Sequence, residues 1–311
     1  MLSQVSPPAG EVRGCAERAG SGQTGFPQDF RDESPRMVAE FLALRGLRPS
    51  KALGQNFLAD GNVLDRIVEE SGVAPGVGAV EVGPGLGALT ARLLKAGASV
   101  VSIEKDKSLQ PLLAARFAAE SRFRLVCGDA LDTDWATVFS SGATHLVSNL
   151  PYSVGSRVVV DAATCRNPPR VMVLLLQKEV AQRFAALEGT GARGAVSVVL
   201  QRLYDVRLVR DVAPSCFVPR PEVVSAVVSL RRHDRHALGE EDAAQFNAFV
   251  KTAFLHRRKQ LASALRSAGA FSRPAGFTRA ALEAAGAAPT ARAEDISLAG
   301  WLALAEAWRG G

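Results

Sequence analysis

The sequence predicts an α/β fold: a mostly parallel sheet covered by helices and ending in an antiparallel hairpin, followed by a small α-helical C-terminal domain. Three observations lead there. Between Ala79 and about Leu230, short apolar runs ("GAVEV", "SVVSIE", "RLVCGD", "THLVSN", "VMVLLL") are separated by helix-length segments such as "ALTARLLKAG". These runs lack the polar alternation of half-exposed strands, so they are expected to be buried on both faces, as in a parallel sheet. After His233 the apolar spacing becomes that of a helix face.

At the N-terminus, residues 1–36 are rich in Gly, Ser, Pro and mixed charge with no apolar period, and are expected to be disordered. The acidic residues Glu11, Glu17, Asp29, Asp32 and Glu33 in that stretch argue against a mitochondrial presequence. The ordered chain then divides into 37–232, the α/β domain, and 233–311, the helical one. A chain of 311 residues with 47% hydrophobic and 22% charged residues can bury a large core. Its longest apolar runs, "VMVLLL" among them, are too short to cross a bilayer, and no signal pattern opens it, so a cytoplasmic monomer is expected.

The first strand, "GAVEV", runs into "EVGPGLGALT", where Gly83, Gly85 and Gly87 let the backbone turn tightly before a helix. Amides exposed at that helix start favour a carboxylate or phosphate. The next strand ends in "SIEKD", with Glu104 placed to accept hydrogen bonds from both hydroxyls of a ribose. Together these residues fit either NAD or S-adenosylmethionine. The third strand ends in "CGDA", where Asp129 is either an acceptor for an adenine amino group or a helix N-cap.

The fourth strand ends in "VSNLPYSVGS". A dehydrogenase has no need of Asn-Leu-Pro-Tyr at this point, whereas methyl transfer to an exocyclic amine does. The lone pair of such a nitrogen is delocalised into its ring, which makes it a poor nucleophile. Two acceptors, the Asn149 side-chain oxygen and the Leu150 carbonyl, could hold its hydrogens and pull it toward a tetrahedral shape. Pro151 would stiffen the turn and Tyr152 would stack on the base.

Further on, "SVVLQRLYDVRLV" and "SAVVSL" read as two strands of the terminal hairpin. In the last third, Phe246, Phe249, Val250, Ala253 and Phe254 fall on one helix face, and Leu298, Trp301, Leu302, Ala305 and Trp308 on another. Cys15, Cys127, Cys165 and Cys216 show no CxxC spacing and are expected to be isolated thiols. His233 and His236 lie in a charged linker, and no metal is expected. Charge is uneven: 17 basic and 9 acidic residues fall between Arg166 and Arg266, against a net charge of +6 for the whole chain. That asymmetry favours a polyanionic partner such as nucleic acid.

Eight blocks in order, "KALGQNFL", "EVGPGLGALT", "SIEKD", "GDA", "NLPY", "LQKEVAQR", "FVPRPEVVSAVVSL" and "FLHRRKQL", resemble the KsgA/Dim-type ribosomal RNA adenine dimethyltransferases. The resemblance covers about residues 50 to 266 and implies a Rossmann-like class I S-adenosylmethionine-dependent methyltransferase core. It implies transfer of two methyl groups to each of two adjacent adenosines near the 3′ end of small-subunit rRNA, with the small ribosomal subunit as partner. By the same resemblance Asn56, Leu58, Gly83, Gly85, Glu104, Asp129 and Asn149 line the cofactor site. Tyr152 and Phe217 would sandwich a flipped target base, and Arg220, Arg257, Arg258 and Lys259 would contact the rRNA backbone. The sequence departs from the family's usual pattern at Val224, at Arg193 and Ala195, in "YSVGS" and in "RRKQLASAL". These departures concern the substrate side. Two other readings are a large-subunit adenine dimethyltransferase of the antibiotic-resistance type and a ribosome-assembly factor that does not methylate.

Overall fold

The computed structural model describes residues 34–266 and 269–310. Strands β1 (Phe57–Leu58), β2 (Gly78–Val82), β3 (Ser99–Glu104), β4 (Phe123–Cys127) and β5 (Ala143–Asn149) are followed by β6 (Val171–Gln177), β7 (Tyr204–Val212), β8 (Phe217–Val218) and β9 (Ser225–Arg232). Seven of them form one sheet in the order β4-β3-β2-β5-β6-β9-β7, parallel from β4 to β6 and antiparallel across β9 and β7. The remaining two, β1 and β8, pair as a separate ribbon.

Successive residues of the inner strands serve opposite faces. Ala79, Val147, Val173 and Leu175 belong to one apolar cluster. Val80, Leu146, Met172 and Leu174 belong to the other. The first face is covered by α1 (Pro35–Leu44), α2 (Gly61–Ser71), α3 (Ala88–Lys95) and α4 (Gln110–Arg116). Helices α5 (Trp135–Ser140), α6 (Gly155–Thr164), α7 (Lys178–Ala185) and α8 (Ala195–Leu203) cover the second. Each fully buried Leu, Val or Ile of these layers contributes about 1.5–3 kcal/mol relative to an exposed position.

Three sequence expectations need correction. The run Ser197–Leu203 is helix rather than strand; only Tyr204 onward pairs in the sheet. Its Val198 packs with the C-terminal helices and its Leu200 against the sheet, so its short apolar run is buried on two sides, which a strand-like reading of so few residues does not exclude. The expected disordered segment 1–36 falls outside the described residues as far as 33, and its last residues begin α1. There the Ser34 hydroxyl accepts from the Met37 amide and Pro35 occupies the first turn. Finally, Cys127 is disulfide-bonded rather than an isolated thiol, while Cys165 and Cys216 are free.

After β9 the chain forms α9 (Glu240–Ala253), α10 (Leu261–Arg266), α11 (Ala275–Ala284) and α12 (Leu298–Gly310) around a third cluster. Phe246, Phe249, Val250, Ala253 and Phe254 are all buried there, as their spacing predicts. On α12 the buried stripe is Trp301, Leu304 and Trp308; Leu298, Leu302 and Ala305 are half-buried beside it. Among the described residues no helix is long and apolar enough to cross a membrane, and no group of three or more His, Cys, Asp and Glu could hold a metal ion.

Candidate active site

The chain winds outward from β2 through β3 to β4, then returns to place β5 on the other side of β2. Such a reversal leaves a crevice beyond the carboxyl ends of the strands. Here it opens early. Backbone pairing between β2 and β5 stops at Val80↔Leu146, although β2 runs to Val82 and β5 to Asn149. The Val82 carbonyl accepts instead from the Ser148 hydroxyl at 2.6 Å. Beyond that bond the strand ends and the loops that follow them surround a cavity of about 270 Å³.

Four strand ends and one covering strap build the cavity. After β2, Gly83 and Gly85 adopt φ of 65° and 60°. A Cβ on Gly83 would lie 3.2 Å from the Pro151 ring, and one on Gly85 would lie 2.9 Å from the Phe57 ring. Glycine is therefore required by both conformation and space. At the end of β3, Glu104 is 5% exposed; its carboxylate accepts from the Asp106 amide at 2.8 Å and from the Gly85 amide at 3.3 Å. Burial pushes its pKa up, against the pull of those backbone donors. The carboxylate thus fixes the glycine loop while facing the cavity.

Asp129, after β4, takes the capping role considered for it. One oxygen caps the turn Ala130–Asp132 by accepting from the Leu131 amide at 3.0 Å, and the residue also lines the cavity. The other oxygen accepts from Lys105 Nζ at 2.6 Å, and that bond holds the carboxyl below its usual range.

Asn149 is the last residue of β5. Its Nδ2 donates to the Asn56 carbonyl at 3.1 Å, which turns Oδ1 the other way. Asn56 belongs to a strap, Ser50 to Leu58, laid over the crevice. Gly54 sits so close to the following turn that a Cβ would be 3.4 Å from the Tyr152 nitrogen. Leu150 is buried, with its amide donating to Leu175, and the Pro151 carbonyl accepts from Val154 and Gly155 to close the turn. Half-buried Tyr152 shares a hydrogen bond with the Ser225 hydroxyl.

Asn56, Leu58, Gly83, Gly85, Glu104, Asp129, Asn149, Leu150, Pro151 and Tyr152 are thus brought to one cavity. Phe217 is not. It is 1% exposed, paired with Leu58 in the β1–β8 ribbon and packed in the core rather than lining the cavity. Arg220, Arg258 and Lys259 are exposed away from the lining. Arg257 is exposed too, but its guanidinium donates to the Gly191 and Arg193 carbonyls at 2.8 and 2.9 Å.

Three cavity residues were missed in the sequence. Glu81 is 2% exposed and accepts from the Thr90 and Ser102 hydroxyls at 2.5 and 3.1 Å; burial pushes its pKa up to about 7. A carboxylate inside the apolar run "GAVEV" was the available signal. Gln55 joins the strap to β3 by donating to Asp106 at 2.7 Å, and Lys105 reaches Asp129. Neither has a signature that distinguishes it from a surface polar residue.

Residues 47–308 match the family model described as ribosomal RNA adenine dimethylase. The chain belongs to the ribosomal RNA adenine dimethylase family. Its relatives include the ribosomal RNA small subunit methyltransferase A of Phenylobacterium zucineum, 42% identical over 87% of this chain and 92% of that one. The protein of the same name from Caulobacter vibrioides is 44% identical over 84% of this chain and 98% of its own. Two solved structures share the fold: the 23S rRNA methyltransferase ErmE (TM-score 0.63, 24% identity, 82% of this chain, all of that one) and a dimethyladenosine transferase from Plasmodium falciparum (TM-score 0.68, 22% identity, 80% and 95%). In this member of the dimethylase family, the Asn-Leu-Pro-Tyr turn lies close against the glycine loop: a Cβ on Gly83 would be 3.2 Å from the Pro151 ring.

The donor set suits S-adenosylmethionine. Glycine backbone at the mouth of β2 leaves room for a close approach, a buried carboxylate at β3 can accept from a ribose, and Asp129 can accept from an adenine amino group.

Proposed function

We propose that this chain transfers methyl groups from S-adenosylmethionine to the 6-amino groups of two adjacent adenosines in the 3′-terminal hairpin loop of small-subunit rRNA, two to each, in the cytoplasm, with a role in small-subunit biogenesis. The supporting relatives are named small subunit methyltransferases, and the 36–44% identity covers most of both chains. The observation that carries the chemistry is the orientation of Asn149. With Nδ2 committed to the strap, Oδ1 is the atom left to accept from a target amine.

When bound, S-adenosylmethionine supplies a methyl group activated by its sulfonium. Glu104 and Asp129 hold the two ends of the nucleoside, and the glycine loop leaves space for the remainder. Asn149 Oδ1 and the Leu150 carbonyl accept the two hydrogens of the adenine amine, which localises its lone pair. Tyr152 supplies a stacking face for the base turned out of its helix. Asn149 cannot take a proton at neutral pH, so the proton released from nitrogen passes to water. Phe217, buried in the β1–β8 ribbon, offers no stacking face in this arrangement. In this reading residues 37–232 form the methyltransferase domain and 233–311 the rRNA-binding domain; Arg257, Arg258 and Lys259 of the second, together with Arg220 of the first, meet phosphates.

The test is transfer of labelled methyl groups to small subunits lacking the modification, with large subunits and naked rRNA in parallel, followed by mass mapping. Dimethyladenosine at two neighbouring small-subunit positions is expected. Label in large-subunit RNA would place the chain with the resistance type, and tight subunit binding without label would make it an assembly factor.

A further inference from the structure

Tyr152 lies in the turn beyond β5, outside the sheet, and is half-buried, so its ring is held by its neighbours in the cavity wall and by whatever its hydroxyl touches. That hydroxyl and Ser225 Oγ are 2.5 Å apart. Ser225 is among the most firmly held residues of the molecule. It is fully buried, opens β9, and is paired with Gln177 of β6 on one side and Val212 of β7 on the other. The residue before it is tied as well, because the Lys178 amide donates to the Val224 carbonyl at 2.9 Å. Val223 and Val224 have no side-chain polar group, so neither competes for the Tyr152 hydroxyl.

We propose that Ser225 is a positioning residue for methyl transfer, setting the plane of the Tyr152 ring from the far end through the bond between their hydroxyls. The proposal rests on the reading in which that ring stacks on the target adenine. Stacking depends on ring tilt and offset, and a half-buried ring with no bond at its far end keeps more freedom about its two side-chain torsions than one tethered at both ends. A phenylalanine would offer the base the same π face. What the tyrosine adds is the hydroxyl, and in this fold the hydroxyl is directed into the sheet. The amine is then presented to Asn149 at one angle, set by β9 rather than by the mobile base.

The experiment compares kcat and the KM for S-adenosylmethionine on small subunits lacking the modification, for wild type, Tyr152→Phe, Ser225→Ala, both together, and Ser225→Thr. Each single change is expected to lower kcat about 10-fold with the KM for S-adenosylmethionine unchanged. The double variant should be no worse than either single one, because both remove the same bond. Ser225→Thr, which keeps the hydroxyl, should recover most of the rate. Wild-type kcat in Tyr152→Phe, or losses that multiply in the double variant, would overturn the proposal. Tyr152→Phe keeps every ring atom and loses only the hydroxyl, so it decides the matter even where Ser225→Ala folds poorly. Tyr152→Ala separates the two levels: full activity without any ring would sink the stacking reading itself.

Discussion

The Asn149 side chain donates to the backbone carbonyl of Asn56, 3.1 Å away and 93 positions earlier in the chain. That bond decides which end of the amide faces the crevice, and a carbonyl partner leaves only one answer. Asn149→Ala removes both the strap contact and the acceptor for the amine. Methyl transfer is expected to fall by at least about 100-fold, while affinity for small subunits is largely kept. Near-wild-type turnover in single-turnover assays would refute the amine-positioning role.

Glu104→Ala should weaken binding of S-adenosylmethionine by roughly 1 to 3 kcal/mol, the range for hydrogen bonds to a charged group. Titration calorimetry reads this directly. An unchanged dissociation constant would mean that the carboxylate serves only the Gly85 and Asp106 amides.

Glu81 makes stability depend on pH. Its ordinary value is 4.5 and burial raises it to about 7 in the folded protein. Between those values the folded chain keeps a proton that the unfolded chain has lost, so the contribution to stability falls as pH rises through that window. Glu81→Gln is neutral throughout and can still accept from Thr90 and Ser102. Its stability relative to wild type should therefore grow between pH 5 and pH 8, by up to about 3 kcal/mol. Urea midpoints at the two pH values measure it, and a constant offset would show that Glu81 is ionised in the fold.

The basic segment after α9 should divide into two behaviours. Arg258→Ala with Lys259→Ala should leave stability nearly unaltered and reduce the salt dependence of rRNA binding by roughly 1 to 2 units of slope. Arg257→Ala should in addition destabilise the protein by about 1–3 kcal/mol, because two backbone carbonyls lose a charged donor. A salt slope that does not move in the double variant would return Arg258 and Lys259 to an ordinary solvated surface.

Much of the cavity could be read from the sequence because its chemistry sits at strand ends, where short apolar runs stop abruptly. Gly83, Glu104, Asp129 and Asn149 each follow such a run, and the structure brings all four together. The strap was harder. Gln55 and Asn56 act through a backbone carbonyl and a partner 51 residues away, relations that no local pattern encodes. The helix at Ala195–Leu203 was missed because both of its sides are buried and its central run Val198–Leu200 is as apolar and β-branched as a strand. Phe217 shows a different limit. A residue can be named by resemblance, but its burial behind Leu58 is a property of packing.

A Cβ on Gly83 would lie 3.2 Å from the Pro151 ring, so the glycine loop and the Asn-Leu-Pro-Tyr turn, the donor and acceptor sides of the proposed reaction, sit as close as an unsubstituted backbone allows. On one side of that approach there is no side chain to vary, and on the other a ring with almost no torsional freedom. Drift in the surrounding surface can alter charge, groove shape and choice of RNA, yet it has no atom through which to stretch this spacing. In the proposed reaction, a side chain at position 83 would push the two loops apart and lengthen the path of the methyl group, whereas a change of substrate can be accommodated elsewhere on the surface.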